Sequence, residues 1–184
     1  MSDIIWANLV AVAAVQGVTF APGLSDAEVA GLETEFTFRF PDDLRGLLQA
    51  GLPTGLRFPD WRNADRQTLR QMLDWPLEGI CFDIEHNNFW LPAWGPRPPG
   101  LKEALELATR HMRAAPRLIP VSGHRYLPDR PVSAGNPVYS VWQTDIIYYG
   151  WDLTDCLTNE FHISNPRPRP AAPRPIEFWS DLVG

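Results

Sequence analysis

Between residues 82 and 98 the chain reads FDIEHNNFWLPAWGPRP, crowding Asp83, Glu85 and His86 beside Phe89, Trp90, Trp94 and Arg97. Carboxylates and an imidazole this close together are donors of the kind that hold zinc or manganese, and His124 in SGHRYLP and Asp145 in QTDIIYYG would extend the set. The spacing follows no ligand pattern such as HExxH, so residue type alone carries that reading, which would make the chain a small metal-dependent hydrolase. The alternative is a solvated helix face on which Asp83 and His86, three apart, are neighbours. The second reading is favoured, and no catalytic residue, metal or cofactor is expected.

Nucleophilic catalysis has less support. Ser122 lies two residues from His124 without a GxSxG elbow around it. Cys81 falls on an apolar stripe, the wrong setting for a reactive thiolate, and it and Cys156 read as buried free thiols. There is no P-loop and no GxGxxG to cradle a nucleotide.

The aromatic residues point instead to recognition. The chain holds 8 Trp and 19 Pro, and DWRN, FWLPAWGPRP and HRYLPDRP each set an aromatic beside Arg in a Pro-rich turn. Trp, Tyr and Arg dominate binding hot spots because they bring large contact area and charge-assisted hydrogen bonds. Trp90, Trp94, Arg97, Arg125 and Tyr126, with Asp83, Glu85 and His86, are therefore the candidate partner-binding residues; packing within the fold is the other use of the same side chains.

These residues must be positioned by elements that the pattern predicts. Ile4, Ile5, Leu9, Val12 and Val15 give a first helix over 3–16. Ser25 three residues before Glu28 is a capping box opening a second, with Leu24 stapled against Val29. Pro41 starts a third, with Asp42 and Asp43 in its first turn and Leu44, Leu47 and Leu48 as its stripe. A fourth over 65–74 is expected to stop at Trp75-Pro76, because the residue before proline avoids the helical region. A fifth over 76–86 follows from Leu77, Ile80, Cys81 and Ile84, a strand being the other reading. LKEALELATRHMRAA, 101–115, is amphipathic. Then RLIPVSG, PVYSVWQ and DIIYYG read as strands and WDLTDCLTNEF as a last helix. Helices first and strands late predict an α+β fold, with N-terminal helices packed on a mostly antiparallel sheet formed by the C-terminal half.

A single domain over 1–164 is expected, followed by a Pro/Arg-rich tail over 165–184 that is extended, with Phe178 and Trp179 able to dock back. PRPRPAAPRP offers Pro170 to Pro173 as a PxxP ligand for an SH3-like partner, or is a solvated linker. At 184 residues the chain is long enough for a real core. Its net charge is −6, and three of its cations, Arg167, Arg169 and Arg174, lie in the tail, so the body is more acidic still. An acidic body repels nucleic-acid phosphate and favours a basic partner. No apolar run approaches the roughly 20 residues that span a bilayer, and Asp3 stands where an export signal would carry positive charge, so a cytoplasmic protein is expected.

The order LSDAEVAGLETEFTFRFPDDLRGLLQAG resembles the N-terminal signature of the SUKH superfamily, which includes Smi/Knr-type fungal cell-wall regulators and bacterial immunity proteins. Leu24 and Ser25 open its helix, Glu28 and Glu33 lie within it, and Phe40, Pro41, Leu44 and Leu48 follow. PVYSVWQTDIIYYGWDLTDCL is similar to the strand pair and last helix that close that fold. Where family members often have Asn-Gly, this chain has Ala50-Gly51, the glycine being expected to supply a left-handed helix end. The resemblance implies a SUKH-like domain that acts by binding and carries no catalytic residue, with the matched positions structural and Glu33 capping or pairing internally. It implies a protein partner, either a toxin domain that the chain neutralises or the several partners of a regulatory scaffold.

Overall fold

A computed structural model describes residues 2–55, 57–164 and 168–184. Helices α1 (Ser2–Val15), α2 (Asp26–Phe36) and α3 (Asp42–Ala50) come first, tied by a small antiparallel pair, β1 (Phe20–Ala21) with β2 (Leu52–Pro53). After α4 (Arg66–His86) and α5 (Leu101–Ala114) the chain forms a four-stranded antiparallel sheet in sequential order, β3 (Leu118–Ser122), β4 (Arg125–Pro128), β5 (Val138–Trp142) and β6 (Asp145–Gly150). Helix α6 (Leu153–Phe161) follows. The fold is α+β, with its antiparallel sheet in the C-terminal half.

Alternation along the strands buries side chains on both faces of the sheet. Ile119, Val121, Leu127 and Val138 pack with Trp6, Leu24, Phe40, Leu44 and Leu48 from the N-terminal helices. Leu118, Tyr126, Tyr139, Val141 and Ile146 pack with Ile80 and Ile84 of α4, Ala104 and Ala108 of α5, and Ile176, Trp179 and Leu182. The last segment is thus built into the second core. Trp179 Nε1 donates to the Pro116 carbonyl at 2.6 Å, and Val183 bridges to Ile146 in parallel.

The capping box forms as the sequence predicts, Ser25 and Glu28 each bonding the other's backbone N–H. Glu33 accepts from the Phe40 N–H at 3.0 Å, fixing the extended link into α3. On α1 the buried face is Trp6, Leu9 and Ala13, while Val12 and Val15 are exposed, so the apolar stripe read from the sequence is shifted around the helix. Gly51 is extended, at φ −175°, and not left-handed; an added Cβ there would lie 3.0 Å from Val10 Cγ1, so close packing is what its missing side chain serves.

The largest departure concerns 65–86. One 21-residue helix runs through Trp75-Pro76 where the sequence predicts a stop and a second start. Proline deprives the carbonyl four residues back of its donor. That carbonyl belongs to Met72, and the Tyr126 hydroxyl donates to it at 3.0 Å from the sheet below. A tertiary contact therefore supplies the bond that the local sequence withholds. RYLP, part of a Pro-rich turn by sequence, is strand β4.

Candidate functional site

The residues singled out by sequence divide into those the fold uses and those it leaves at the surface. Asp83 is 4% exposed and so does not share a solvated face with His86. Its Oδ2 accepts from the Thr144 N–H at 2.9 Å and Oγ1 at 2.6 Å, and its Oδ1 from the Asn87 amide at 2.5 Å. Burial opposes its ionisation, but the bonds from Thr144 and Asn87 outweigh burial and hold its carboxyl below the ordinary value. Asp83 is a clamp between α4 and the β5–β6 turn. Glu85 and His86 are exposed and pair loosely at 3.7 Å.

Trp94 is buried, its ring stacked with those of His111 and Phe178, and Trp90 lies edge-on to it with Nε1 donating to the Gly95 carbonyl at 2.8 Å. Arg97 donates to the Ile84 carbonyl at 2.8 Å and to Asn88 Oδ1, capping the end of α4. Tyr126 is consumed at Met72. The Arg125 guanidinium lies 3.7 Å from the Tyr149 ring and donates to Ser140 Oγ at 2.9 Å. Tyr149 in turn donates to Glu160 at 2.6 Å, and Glu160 pairs with Arg57 at 2.6 Å. Of the candidate binding residues Asp83, Trp94 and Tyr126 are thus buried in the fold, Trp90, Arg97 and Arg125 are half-buried, and Glu85 and His86 are exposed.

Asp83, Glu85, His86, His124 and Asp145 do not assemble as a donor set; the described residues contain no group of three or more His, Cys, Asp or Glu able to hold a metal. Cys156 is buried and its thiol is pushed up by that burial, away from the reactive range. No helix among the described residues is long and apolar enough to cross a membrane.

Three large aromatics outside the candidate set are exposed, Trp75 (40%), Phe82 (46%) and Trp142 (57%). Trp75 and Phe82 are two turns apart on the same side of α4, and Trp75 meets Trp142, at the end of β5, with ring centroids 5.7 Å apart and planes at 60°. The two elements are locked together beneath them. A Cβ on Gly79 would come within 2.9 Å of Gln143 Cα, so only glycine lets the hairpin turn lie against α4, and the Asp83 clamp is the next contact along. His124 lies edge-on to Trp142 at 6.3 Å; burial, then the nearby Arg125 charge, keeps it below the usual imidazole value.

This face is chemically one-sided. Helix α4 from Gln71 to His86 and both strands of the β5–β6 hairpin contain no Lys or Arg, while Glu78, Glu85 and Asp145 are exposed on them. Sequence reasoning passed over Trp75 and Trp142 because it weighted aromatics next to arginines. The signal that would have found them is the reverse, an exposed Trp with an acid three residues on, in a stretch without cations. The sequence matches no family model, and no curated protein or solved structure is significantly similar to it.

Proposed function

We propose that the chain is a non-catalytic cytoplasmic protein-binding domain of SUKH type, an immunity protein that captures and neutralises a basic toxin domain. The observation that carries this reading is the α4/hairpin face, where Trp75, Phe82 and Trp142 stand exposed beside Glu78, Glu85 and Asp145, with no Lys or Arg in residues 71–86 of α4 or in β5 and β6. Large aromatics left in water on elements packed this rigidly cost solvation unless a partner covers them. An acidic surround speeds capture of a basic partner and disfavours wrong ones. The SUKH resemblance of residues 24–61 supplies the functional class, and the fate of the matched residues is compatible with it: Leu24, Phe40, Pro41, Leu44 and Leu48 are buried, and Glu33 holds the Phe40 backbone.

The test is co-expression with each toxin domain encoded next to the chain, scoring survival and isolating the complex. Protection with a complex of fixed stoichiometry is the expected result. Several partners held at moderate affinity with no protection would replace the immunity role with that of a regulatory scaffold.

A further inference from the structure

The acidic aromatic face has a repeated local pattern. Trp75 is followed by Glu78 on the same helical surface, and Trp142 stands directly opposite Asp145 across the hairpin. Each exposed indole therefore has a carboxylate beside it, and neither Glu78 nor Asp145 has a Lys or Arg partner among the described residues.

The fold contains a filled version of the same arrangement. Trp151 carries the Arg169 guanidinium 3.9 Å from its ring centre, and Arg169 Nε pairs with Asp155 at 2.9 Å. A tryptophan with an acid four residues on holds an arginine by its face and by its Nε–H at once. Arg125 rests on Tyr149 at 3.7 Å in a related way. A guanidinium suits this double contact better than an ammonium, being planar, weakly hydrated and able to stack while its edge donates to carboxylate.

We propose that the Trp75–Trp142 pair, with Glu78 and Asp145, is a docking point for an arginine presented on a protruding basic segment of the partner. The inference rests on the protein-binding reading above and names its contact. The indoles meet near edge to face, leaving ring surface free, and Gly79 and Asp83 hold both elements so that little order is lost on binding. Trp142, the more exposed, supplies the main stacking surface, and Glu78 and Asp145 receive the guanidinium edge.

The first experiment titrates the full chain with a hexa-arginine peptide and, separately, with hexalysine, following indole fluorescence and heat. Hexa-arginine is expected to bind more tightly than hexalysine. W142A and the E78Q/D145N pair are each expected to weaken it about tenfold, roughly the worth of one partly desolvated cation–π or charge-assisted contact. W142F is expected to retain part of the binding, and thermal unfolding of every variant confirms that the fold is kept. E106Q, on the neighbouring helix α5, is the control for general attraction to an acidic protein.

Equal effects of E106Q and E78Q/D145N, or binding indifferent to W142A, would overturn the docking point. So would a wild-type dimer that W142A makes monomeric, since a second copy would then be the occupant. The partner assay separates the two readings: a toxin bound equally by wild type and W142A removes the docking point and leaves the immunity role standing. Absence of any protected toxin, with arginine binding that still depends on Trp142 and Asp145, removes the immunity role alone.

Discussion

Tyr126 is buried beneath α4, and its hydroxyl donates to the Met72 carbonyl, which Pro76 has robbed of its helical donor. Tyr126→Phe removes that carbonyl's side-chain donor at a half-buried position, so a loss of about 1 kcal/mol is expected in urea unfolding. Pro76→Ala restores an N–H to the same carbonyl, and the cost of Tyr126→Phe should shrink in that background; a double-mutant cycle reads the coupling directly. Glu28 is a second single-residue case. Hydrogen bonds from Arg62, then from the Ser25 backbone and hydroxyl, lower it from an ordinary 4.5 to about 2. A depressed carboxylate contributes stability that is fully present above its unfolded value and is lost as pH falls through its folded one. Chemical denaturation should therefore show stability declining from about pH 4.5 toward 2. Glu28→Gln should flatten that slope while lowering stability at pH 7.

Among elements, the junction of α4 with the β5–β6 hairpin decides the geometry of the exposed tryptophans. Gly79→Ala places a methyl 2.9 Å from Gln143 Cα, a backbone atom that cannot swing aside. The hairpin must shift, with an expected cost of about 1–3 kcal/mol and an altered near-ultraviolet dichroism from the Trp75–Trp142 pair. Asp83→Ala removes the bonds to both Thr144 donors and should loosen the same turn, read as faster amide exchange at Gln143 and Thr144 than in wild type. Equal exchange would show that Gly79 packing alone fixes the hairpin. Element by element, the helices with strong local signals were legible: the Ser25–Glu28 box and the amphipathic α5 needed only their own residues. The continuity of α4 was not, because the donor that rescues it comes from Tyr126, 54 residues away.

At the scale of the molecule, the two ends of the chain pack in different cores, Trp6 and Leu9 of α1 in the first and the last segment in the second. Ile176 and Trp179, each 2% exposed, pack with Tyr139 and Ile146 of the sheet. Arg174 donates to the carbonyls of Ser133 and Ala134 at 3.1 and 3.0 Å, and Arg169 is fastened to Trp151 and Asp155. The Pro/Arg segment, read from sequence as a linker or a PxxP ligand, works over its described residues as a strap pinned by arginines, with residues 165–167 outside them. Trp179→Ala should cost about 3–5 kcal/mol, the range for losing a buried indole, within a single unfolding transition. A separate early transition, leaving the sheet intact, would show that the strap folds independently of the sheet it covers.

Composition and periodicity by themselves determined the α+β class, the antiparallel sheet late in the chain, the capping box and the acidic balance, because these depend on residues close in sequence or on sums over all of them. The SUKH resemblance and the binding role also arose there and are carried forward as proposals. Tertiary structure alone decided which tryptophans are buried, that Asp83 is a clamp, that Tyr126 completes a helix and that Trp75 meets Trp142. Burial and hydrogen-bond partnership are relations between segments far apart in sequence, and a side chain's type does not state which segment will lie over it.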